Sequence, residues 1–195
     1  MKRTDYRTYI TKQLIKESLA RLVSTTSFSN ITIAALCREA QISRTTFYSH
    51  YQHIMNVVDD ILADSFTPSS STVAEEWHAL YVLTTKPFQD TNFKEYEQVL
   101  PACQRLGENP LYLPIYLDSS LSDYILQQLY EKQKDRYVPF LAKTCQVPTT
   151  IAESLLRFVL KGIYSVNQAL RWERNDEWYR VHYELTKFLV KAFTA

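Results

Sequence analysis

A cluster of hydrogen-bonding side chains in the first third of the chain has the chemistry needed to contact a nucleic acid. Its members are Arg44, Thr45, Thr46, Tyr48, Ser49 and His50. An arginine can bind a guanine through two hydrogen bonds, and hydroxyl groups can donate to phosphate oxygens. No acidic residue lies between Glu39 and Asp59. A surface that approaches phosphates needs such a gap, because carboxylates would be repelled there.

Two short predicted helices, joined by a brief turn, position this cluster. Thr32 and Ser43 are of the residue types that cap helix N-termini, and each precedes one of the two helices. The apolar residues of this segment would pack beneath both helices: Ile33, Leu36, Cys37, Ala40, Ile42 and Phe47. The second helix would then turn its hydrogen-bonding residues outward, as in a helix-turn-helix, where that helix enters the major groove of DNA.

The remainder of the chain is also predicted to be helical. Apolar residues at three- and four-residue steps indicate an amphipathic helix over residues 6–24 and a further helix over residues 53–66. The sequence has no β-branched run with period-two alternation. We therefore predict an all-α fold.

The segment over residues 32–51 resembles the helix-turn-helix of the TetR/AcrR-type transcriptional regulators; it reads TIAALCREAQISRTTFYSHY. The resemblance covers residues 9–62. It implies an N-terminal three-helix DNA-binding domain over residues 1–52, joined to a larger helical domain over residues 53–195 that binds an effector and dimerises. The helix over residues 53–66 would connect the two domains.

Two residues depart from the pattern of this family. Gln41 stands where the family usually has glycine, because the turn tends to need a positive φ. Gln41 must therefore either accept strain or enter a slightly different turn. Ile54 stands where the family usually has a lysine that binds phosphate, and the neighbouring His53 could replace that lysine in part.

The resemblance and the side-chain chemistry together assign roles in DNA binding. We expect Arg44 and Thr45 to read base edges. The residues expected to contact the DNA backbone are Thr32, Ser43, Thr46, Tyr48, His50 and His53. Three of them have alternatives: Tyr48 as a half-buried aromatic residue, His50 as a helix-terminal cap and Thr32 as a plain N-cap.

Charge is distributed unevenly along the chain. The net charge is only +1, so the chain as a whole does not attract polyanions. The first 55 residues nevertheless hold three acidic residues and eight basic ones: Lys2, Arg3, Arg7, Lys12, Lys16, Arg21, Arg38 and Arg44. Such a segment is typical of nucleic-acid binding, with chance unevenness on solvated helices as the alternative. Lys2, Arg3 and Arg7 form either a basic arm on DNA or a solubilising terminus.

The last two predicted helices carry apolar residues on more than one face, which predicts that they bury two surfaces. One surface would pack on the chain itself and the other on a second copy, because a single short recognition helix reads too few base pairs. The residues assigned to this homodimer interface are Leu155, Val159, Ile163, Val166, Leu185, Phe188 and Leu189. The alternative is that they form the core of a monomer.

The middle of the chain is rich in aromatic residues, and the chain has 14 tyrosines. Buried tyrosine hydroxyls need partners, so this number exceeds the needs of a helical core. The resemblance implies an effector pocket here, suited to an aromatic or hydrophobic small molecule. The candidate pocket residues are Trp77, Tyr81, Tyr96, Cys103, Tyr124 and Phe158. The alternatives for each of them are plain core packing and, for the tyrosines, simple exposure on the surface.

Several other functions are excluded or disfavoured by composition. Only two glycines occur, so the chain lacks the glycine-rich loops that bind phosphates and dinucleotides. The three cysteines and four histidines are scattered, which argues against a zinc site and against catalysis. We expect no enzyme activity, no cofactor and no metal. The absence of a long apolar run predicts a cytoplasmic protein that does not enter membranes.

The sequence thus predicts a regulator, by family default a repressor, that binds a palindromic double-stranded DNA operator as a homodimer. A small-molecule effector would release it. The alternative is a protein of the same fold that acts through protein–protein contacts as a co-regulator.

Overall fold

The structure, a computed structural model, describes residues 3–65, 71–91, 100 and 106–194. Every regular element in these ranges is a helix, and none is a strand. The prediction of an all-α fold is therefore confirmed.

The described residues form nine α-helices. In chain order they are α1 (Arg3–Val23), α2 (Ile33–Glu39), α3 (Arg44–Tyr48), α4 (Ile54–Ser65), α5 (Val73–Thr85), α6 (Leu113–Leu117), α7 (Ser122–Thr144), α8 (Thr149–Ala169) and α9 (Asp176–Thr194). Short 3-10 helices connect several of them. None of the nine has the length and apolar character needed to cross a lipid bilayer.

Contacts along the chain define two compact units. The first comprises Met1–Thr67 and Leu106–Ile125, and the second comprises Pro68–Arg105 and Leu126–Ala195. Helix α7 begins in the first unit and continues into the second. The predicted domain boundary after residue 52 stays a prediction, and the first unit extends beyond it.

The first unit is built on the apolar faces of its N-terminal helices. Ile15 and Leu19 of α1 are fully buried, as the three- and four-residue spacing of that helix predicts. Residues of α2, α3 and α4 complete this core: Leu36, Cys37, Phe47, Val57, Val58, Ile61 and Leu62. Burial of each large apolar side chain contributes about 1.5–3 kcal/mol. The helix predicted over residues 53–66 is observed as α4, and Phe66 lies outside the described residues.

Residues 106–125 complete the first unit from a distant part of the chain. Ile115 and Tyr116 of α6 are fully buried, and α6 contacts α1. The Tyr112 hydroxyl donates to Gln13 Oε1 over 3.3 Å. The backbone N–H of Phe28 donates to the Asp118 carboxylate over 2.8 Å. These bonds attach the segment to α1 and to the 3-10 helix that begins at Phe28.

In the second unit, a buried polar network joins α8 to α9. Asn167 Oδ1 accepts hydrogen bonds from Trp178 Nε1 over 2.9 Å and from His182 Nε2 over 3.1 Å. Because an amide oxygen only accepts, the proton of the neutral imidazole lies on Nε2 of His182. Burial, followed by the charge of Arg174, lowers the pKa of His182 to about 4. The histidine is therefore uncharged at neutral pH.

Helix α5 packs against α9 in the same unit. Its N-terminus is closed by a reciprocal cap, in which Thr72 Oγ1 accepts from the Glu75 N–H and the Glu75 carboxylate accepts from the Thr72 N–H. The apolar cluster between the two helices consists of Leu80, Leu83, Leu100, Trp178 and Val190.

Candidate functional site

Helix α3 holds its polar residues outward by burying one aromatic side chain. Phe47 is fully buried, whereas Arg44 and Thr45 are exposed and Tyr48 is 56% exposed. The Phe47 ring makes edge contacts with the Tyr48 ring and a tilted contact with the Tyr51 ring. The two residues predicted to read bases therefore lie on the open side of a helix that is fixed from below.

The hydroxyl caps predicted for α2 and α3 are both present. Thr32 Oγ1 accepts from the Ala35 N–H over 3.1 Å, and Ser43 Oγ accepts from the Thr46 N–H over 3.0 Å. Ser43 Oγ also lies 2.9 Å from Thr46 Oγ1. Thr32 and Ser43 are exposed, so the helix starts that they cap face solvent. Thr32 therefore acts as an N-cap of α2, and its binding to phosphate stays a prediction.

The other residues predicted to contact the DNA backbone differ in exposure. His53 is exposed, and its backbone N–H donates to Asn56 Oδ1 over 3.0 Å at the start of α4. Thr46 and His50 are half-buried. His50 follows the end of α3, and its N–H donates to the Phe47 carbonyl over 2.9 Å.

The turn between α2 and α3 uses a left-handed residue. Gln41 has a φ of 51°, in the region that favours glycine. The N–H of Ile42 donates to the Cys37 carbonyl over 3.0 Å, which is the closing bond of a glycine-type helix end. Of the two alternatives for Gln41, the structure has the strained one.

Three of the eight basic residues near the N-terminus form ion pairs within the first unit. Lys12 Nζ lies 3.2 Å from Asp60 Oδ2, and the buried Lys16 pairs with Asp64. Arg21 Nε lies 2.9 Å from Glu39 Oε1. These pairs direct the three cations toward α4 and α2, and Lys16 is the buried one among them.

Exposed arginines remain on the same unit. Arg7, Arg38 and Arg44 are exposed, and within the described part of the chain none of them has a carboxylate within ion-pair distance. For Arg7, the choice between a basic arm and a solubilising terminus stays a prediction. Lys2 and the side chain of Arg3 lie outside the described residues.

The carboxylates of α4 make contacts within the first unit that the sequence interpretation missed. The Tyr51 hydroxyl donates to Asp60 over 2.6 Å, and the Tyr124 hydroxyl donates to Asp59. Burial opposes ionisation of Asp60, but the hydrogen bonds from Tyr51 and Lys12 outweigh it and lower the pKa of this carboxyl. For the ion pairs, the signal was present in the sequence, because Lys12 and Lys16 have the same four-residue spacing as Asp60 and Asp64.

Large apolar side chains are exposed on α8 and α9. Ile151, Phe158 and Phe188 are 48%, 70% and 64% exposed. Ile151, Leu155, Phe158 and Gly162 recur at steps of four, three and four residues, so they share one face of α8. The space where a Gly162 side chain would stand is open. A second surface can therefore approach this face of α8 closely.

The residues predicted for the dimer interface fall into two groups. Leu155, Val166 and Leu185 are half-buried, and Phe188 is exposed. The remaining three line an internal cavity of the second unit: Val159, Ile163 and Leu189. Their contribution to pairing stays a prediction.

The cavity lies among α5, α7, α8 and α9. It holds about 630 Å³ of empty space with its mouth included, and about 60 Å³ of this is open to the centre of a water molecule. The described residues that line it are Trp77, Leu80, Gln133, Tyr137, Leu141, Leu156, Val159, Leu160, Ile163, Thr186, Leu189 and Phe193. None of these side chains is charged.

Of the candidate pocket residues, Trp77 lines this cavity. Tyr81 and Phe158 are exposed instead, and Tyr124 lies in the first unit on Asp59. Tyr96 and Cys103 lie outside the described residues. The interpretation missed Gln133 and Tyr137 of α7, whose four-residue spacing places them on one helix face.

Comparison with protein-family models finds no match for this sequence, and comparison with curated proteins finds none either.

Proposed function

We propose that this protein is a dimeric DNA-binding transcriptional regulator of the TetR type, with α2 and α3 as its helix-turn-helix. The exposed polar side of α3 carries the proposal. Arg44, Thr45 and Tyr48 face solvent there, while the buried Phe47 fixes the helix to the unit. A recognition helix needs both features, because base contacts depend on a rigid support.

Arg44 and Thr45 are the first two residues of α3, at the end that a recognition helix presents to base edges. Arg44 would bind a guanine through its two terminal nitrogens, and Thr45 would contact a neighbouring base. The capped starts of α2 and α3 would meet the DNA backbone with Thr32 and Ser43. Tyr48 and His53 would add phosphate contacts from exposed positions.

Among the described residues of the first unit, few arginines and lysines lack a carboxylate partner, so we expect the affinity for DNA to depend only modestly on salt concentration. Each phosphate neutralised contributes about −0.9 to the slope of log affinity against log salt. Three of these basic residues form ion pairs with carboxylates of the same unit: Lys12, Lys16 and Arg21. Arg7 and Arg38 of each copy would supply the main phosphate contacts, together with any contributed by the first residues of the chain.

The exposed apolar face of α8, with Phe188 of α9, is the proposed dimer interface. Large apolar residues exposed together on one surface typically mark an interface. A two-fold pairing places the same face of both copies in contact, and Gly162 allows their backbones to approach. Such a dimer would recognise a palindromic operator.

Regulation would come from a small molecule bound in the second unit. An effector that prefers the dimer with wrongly spaced recognition helices lowers operator affinity by its preference ratio. We expect repression in the absence of effector.

A co-regulator that contacts proteins is the second candidate. Two observations favour it: the ion pairs that Lys12 and the buried Lys16 form with α4, and Ile54 at a position where the family has a phosphate-binding lysine. The absence of salt-dependent DNA binding would support this candidate.

The test is binding of the full chain to DNA that flanks its own coding region, measured by fluorescence anisotropy over a salt series. Arg44→Ala should weaken binding to the preferred operator by about 1–3 kcal/mol and binding to unrelated DNA much less. Arg38→Ala is the control, because it removes the same charge from α2. Arg38→Ala should weaken both DNAs to a similar extent. Equal losses on both DNAs for Arg44→Ala would rule out base reading.

A further inference from the structure

The cavity of the second unit contains two polar atoms without partners. Trp77 Nε1 and Gln133 Oε1 are buried, and neither has a hydrogen-bond partner among the described residues. Gln133 is only 7% exposed, and its amide oxygen is shielded from bulk solvent. Both residues line the cavity. Buried polar groups in folded proteins are almost always paired, so two orphans on one cavity indicate a missing partner.

The remaining polar groups on the cavity wall are already used. The Tyr137 hydroxyl donates to Glu76 Oε2 over 2.9 Å, and Glu76 is also held by Arg136 at 3.0 Å. Thr186 has a partner of its own. Trp77 and Gln133 are therefore the two points at which an occupant can be hydrogen-bonded by the described wall.

The wall excludes charged occupants. All twelve lining side chains are uncharged, and most are aliphatic or aromatic. A carboxylate or ammonium group would lose its hydration there without gaining an ion pair. The occupant must therefore be neutral and mostly apolar.

The size of the cavity limits the occupant further. About 60 Å³ is open to water centres, and one water needs roughly 10–15 Å³ on this measure. The space thus corresponds to a few water molecules, which matches a single small ring or a short branched chain. The Trp77 ring lies 5.5 Å from the Phe193 ring and 5.9 Å from the Phe140 ring, so an aromatic ring would meet an aromatic surface.

We propose that this cavity binds a small neutral molecule made of an apolar ring and one hydroxyl group, a simple phenol or an alcohol of similar size. The hydroxyl donates to Gln133 Oε1 and accepts from Trp77 Nε1. A hydroxyl can also accept from the Gln133 amide, so it satisfies this side chain in either amide orientation. The role of the ligand as an effector rests on the proposed function, whereas the binding itself does not.

The test compares p-cresol, p-xylene and benzoate as probes of the full-length protein by isothermal titration calorimetry, without DNA. p-Cresol and p-xylene have nearly the same shape, and only the first has a hydroxyl. We expect p-cresol to bind about 5-fold to 100-fold more tightly than p-xylene, because p-xylene leaves both orphans unpaired. Benzoate should bind more weakly than either.

Gln133→Leu removes one orphan and keeps the side-chain size. We expect it to abolish the preference for p-cresol and to leave p-xylene binding unchanged or tighter. Gln127→Leu is the matched control, since Gln127 is an exposed residue of the same helix α7 and does not line the cavity. This control should keep the full preference. Trp77→Phe provides a second variant, which should also reduce the preference if Gln133→Leu does not fold.

Two results would overturn the proposal. One is equal binding of p-cresol and p-xylene to the wild-type protein, and the other is no binding of either probe up to its solubility limit. Survival of the preference in both Gln133→Leu and Trp77→Phe would also contradict it. A protein that binds p-cresol as expected but does not bind DNA would reject the proposed function and keep the ligand site.

Discussion

The two compact units differ in how they satisfy their side chains. In the first unit, the buried polar side chains described below form ion pairs or hydrogen bonds with other side chains of the unit. Lys16 is buried but paired with Asp64, and Asp60 accepts from both Tyr51 and Lys12. Its apolar residues fill a continuous core beneath the exposed side of α3. The exposed side of α3 offers Arg44 and Thr45 to a partner, and Ile10 and Leu14 of α1 are exposed as well.

The second unit differs from the first in its buried polar groups. Phe158 and Phe188 are exposed on its surface, while Trp77 Nε1 and Gln133 Oε1 lack partners among the described residues. A buried polar atom without a partner is unfavourable in a folded protein. The two units therefore differ in their buried polar side chains: Lys16 and Asp60 are paired in the first unit, whereas Trp77 and Gln133 of the second each hold an orphaned atom on a cavity wall.

The largest effect is expected from placing a charge on the exposed face of α8. Phe158→Glu should leave the fold of a single copy intact, because Phe158 is 70% exposed. In the proposed dimer it would bury an unpaired carboxylate and weaken association by about 3–5 kcal/mol, which is more than about a hundredfold. Analytical ultracentrifugation over a concentration series measures this change.

Tyr81→Glu is the matched control for that experiment. Tyr81 is an exposed aromatic residue of α5, 46% exposed and outside the proposed interface. Its substitution should leave association unchanged. If wild-type protein sediments as a monomer at all concentrations, the exposed face of α8 does not pair with a second copy.

A second expected effect is a loss of stability in acid that comes from the second unit. The pKa of His182 is about 4 in the folded protein and near 6.5 in the unfolded chain. Below pH 6.5 the unfolded state takes up a proton that the folded state refuses, so the free energy of unfolding falls as the pH is lowered toward 4. The loss should be about 3 kcal/mol, measured by urea denaturation at several pH values.

Substitution of the histidines separates this effect from the titration of carboxylates. His182→Gln should remove this part of the pH dependence, although it also lowers stability at neutral pH. His78→Gln changes an exposed histidine of α5 and should leave the pH dependence as in the wild type. An identical pH dependence in all three proteins would contradict the assignment.

The smallest expected effect concerns the turn of the first unit. Gln41→Gly should raise the free energy of unfolding by about 0.5–1 kcal/mol, because glycine adopts a φ of 51° without strain. Gln52→Gly is the control, since Gln52 is also exposed and outside a helix but lacks a positive φ. That change should be destabilising. Thermal unfolding of the two variants gives the comparison, and stabilisation by both would show that strain at Gln41 is not the cause.

The features that the sequence predicted well depend on neighbouring residues. The spacing of Ile15 and Leu19 predicts the buried face of α1, and Thr32 and Ser43 predict the starts of α2 and α3. The resemblance to the TetR-type pattern, which usually has glycine at this place, singled out Gln41 as either strained or part of a different turn, and its φ of 51° is the strained outcome. Each of these signals acts within a few residues of chain, where local geometry decides the outcome.

The features that the sequence did not predict depend on distant pairs. Asp60 contacts Lys12 across 48 residues, and Trp77 and Gln133 meet at one cavity from two helices. Periodicity shows that Val159 and Ile163 are apolar and inward on some face, but not whether they face a cavity or a second chain. Only packing distinguishes a wall from an interface, because both need the same residue types.

The paired lysines and aspartates also limit how α4 can move. Lys12 with Asp60 and Lys16 with Asp64 have the same separation of 48 residues, so α1 and α4 run in the same direction with their turns in step. A slip of one turn would leave one lysine and one aspartate without a partner. Since Lys16 is buried, such a slip is costly, and the two pairs hold α4 in one register along α1.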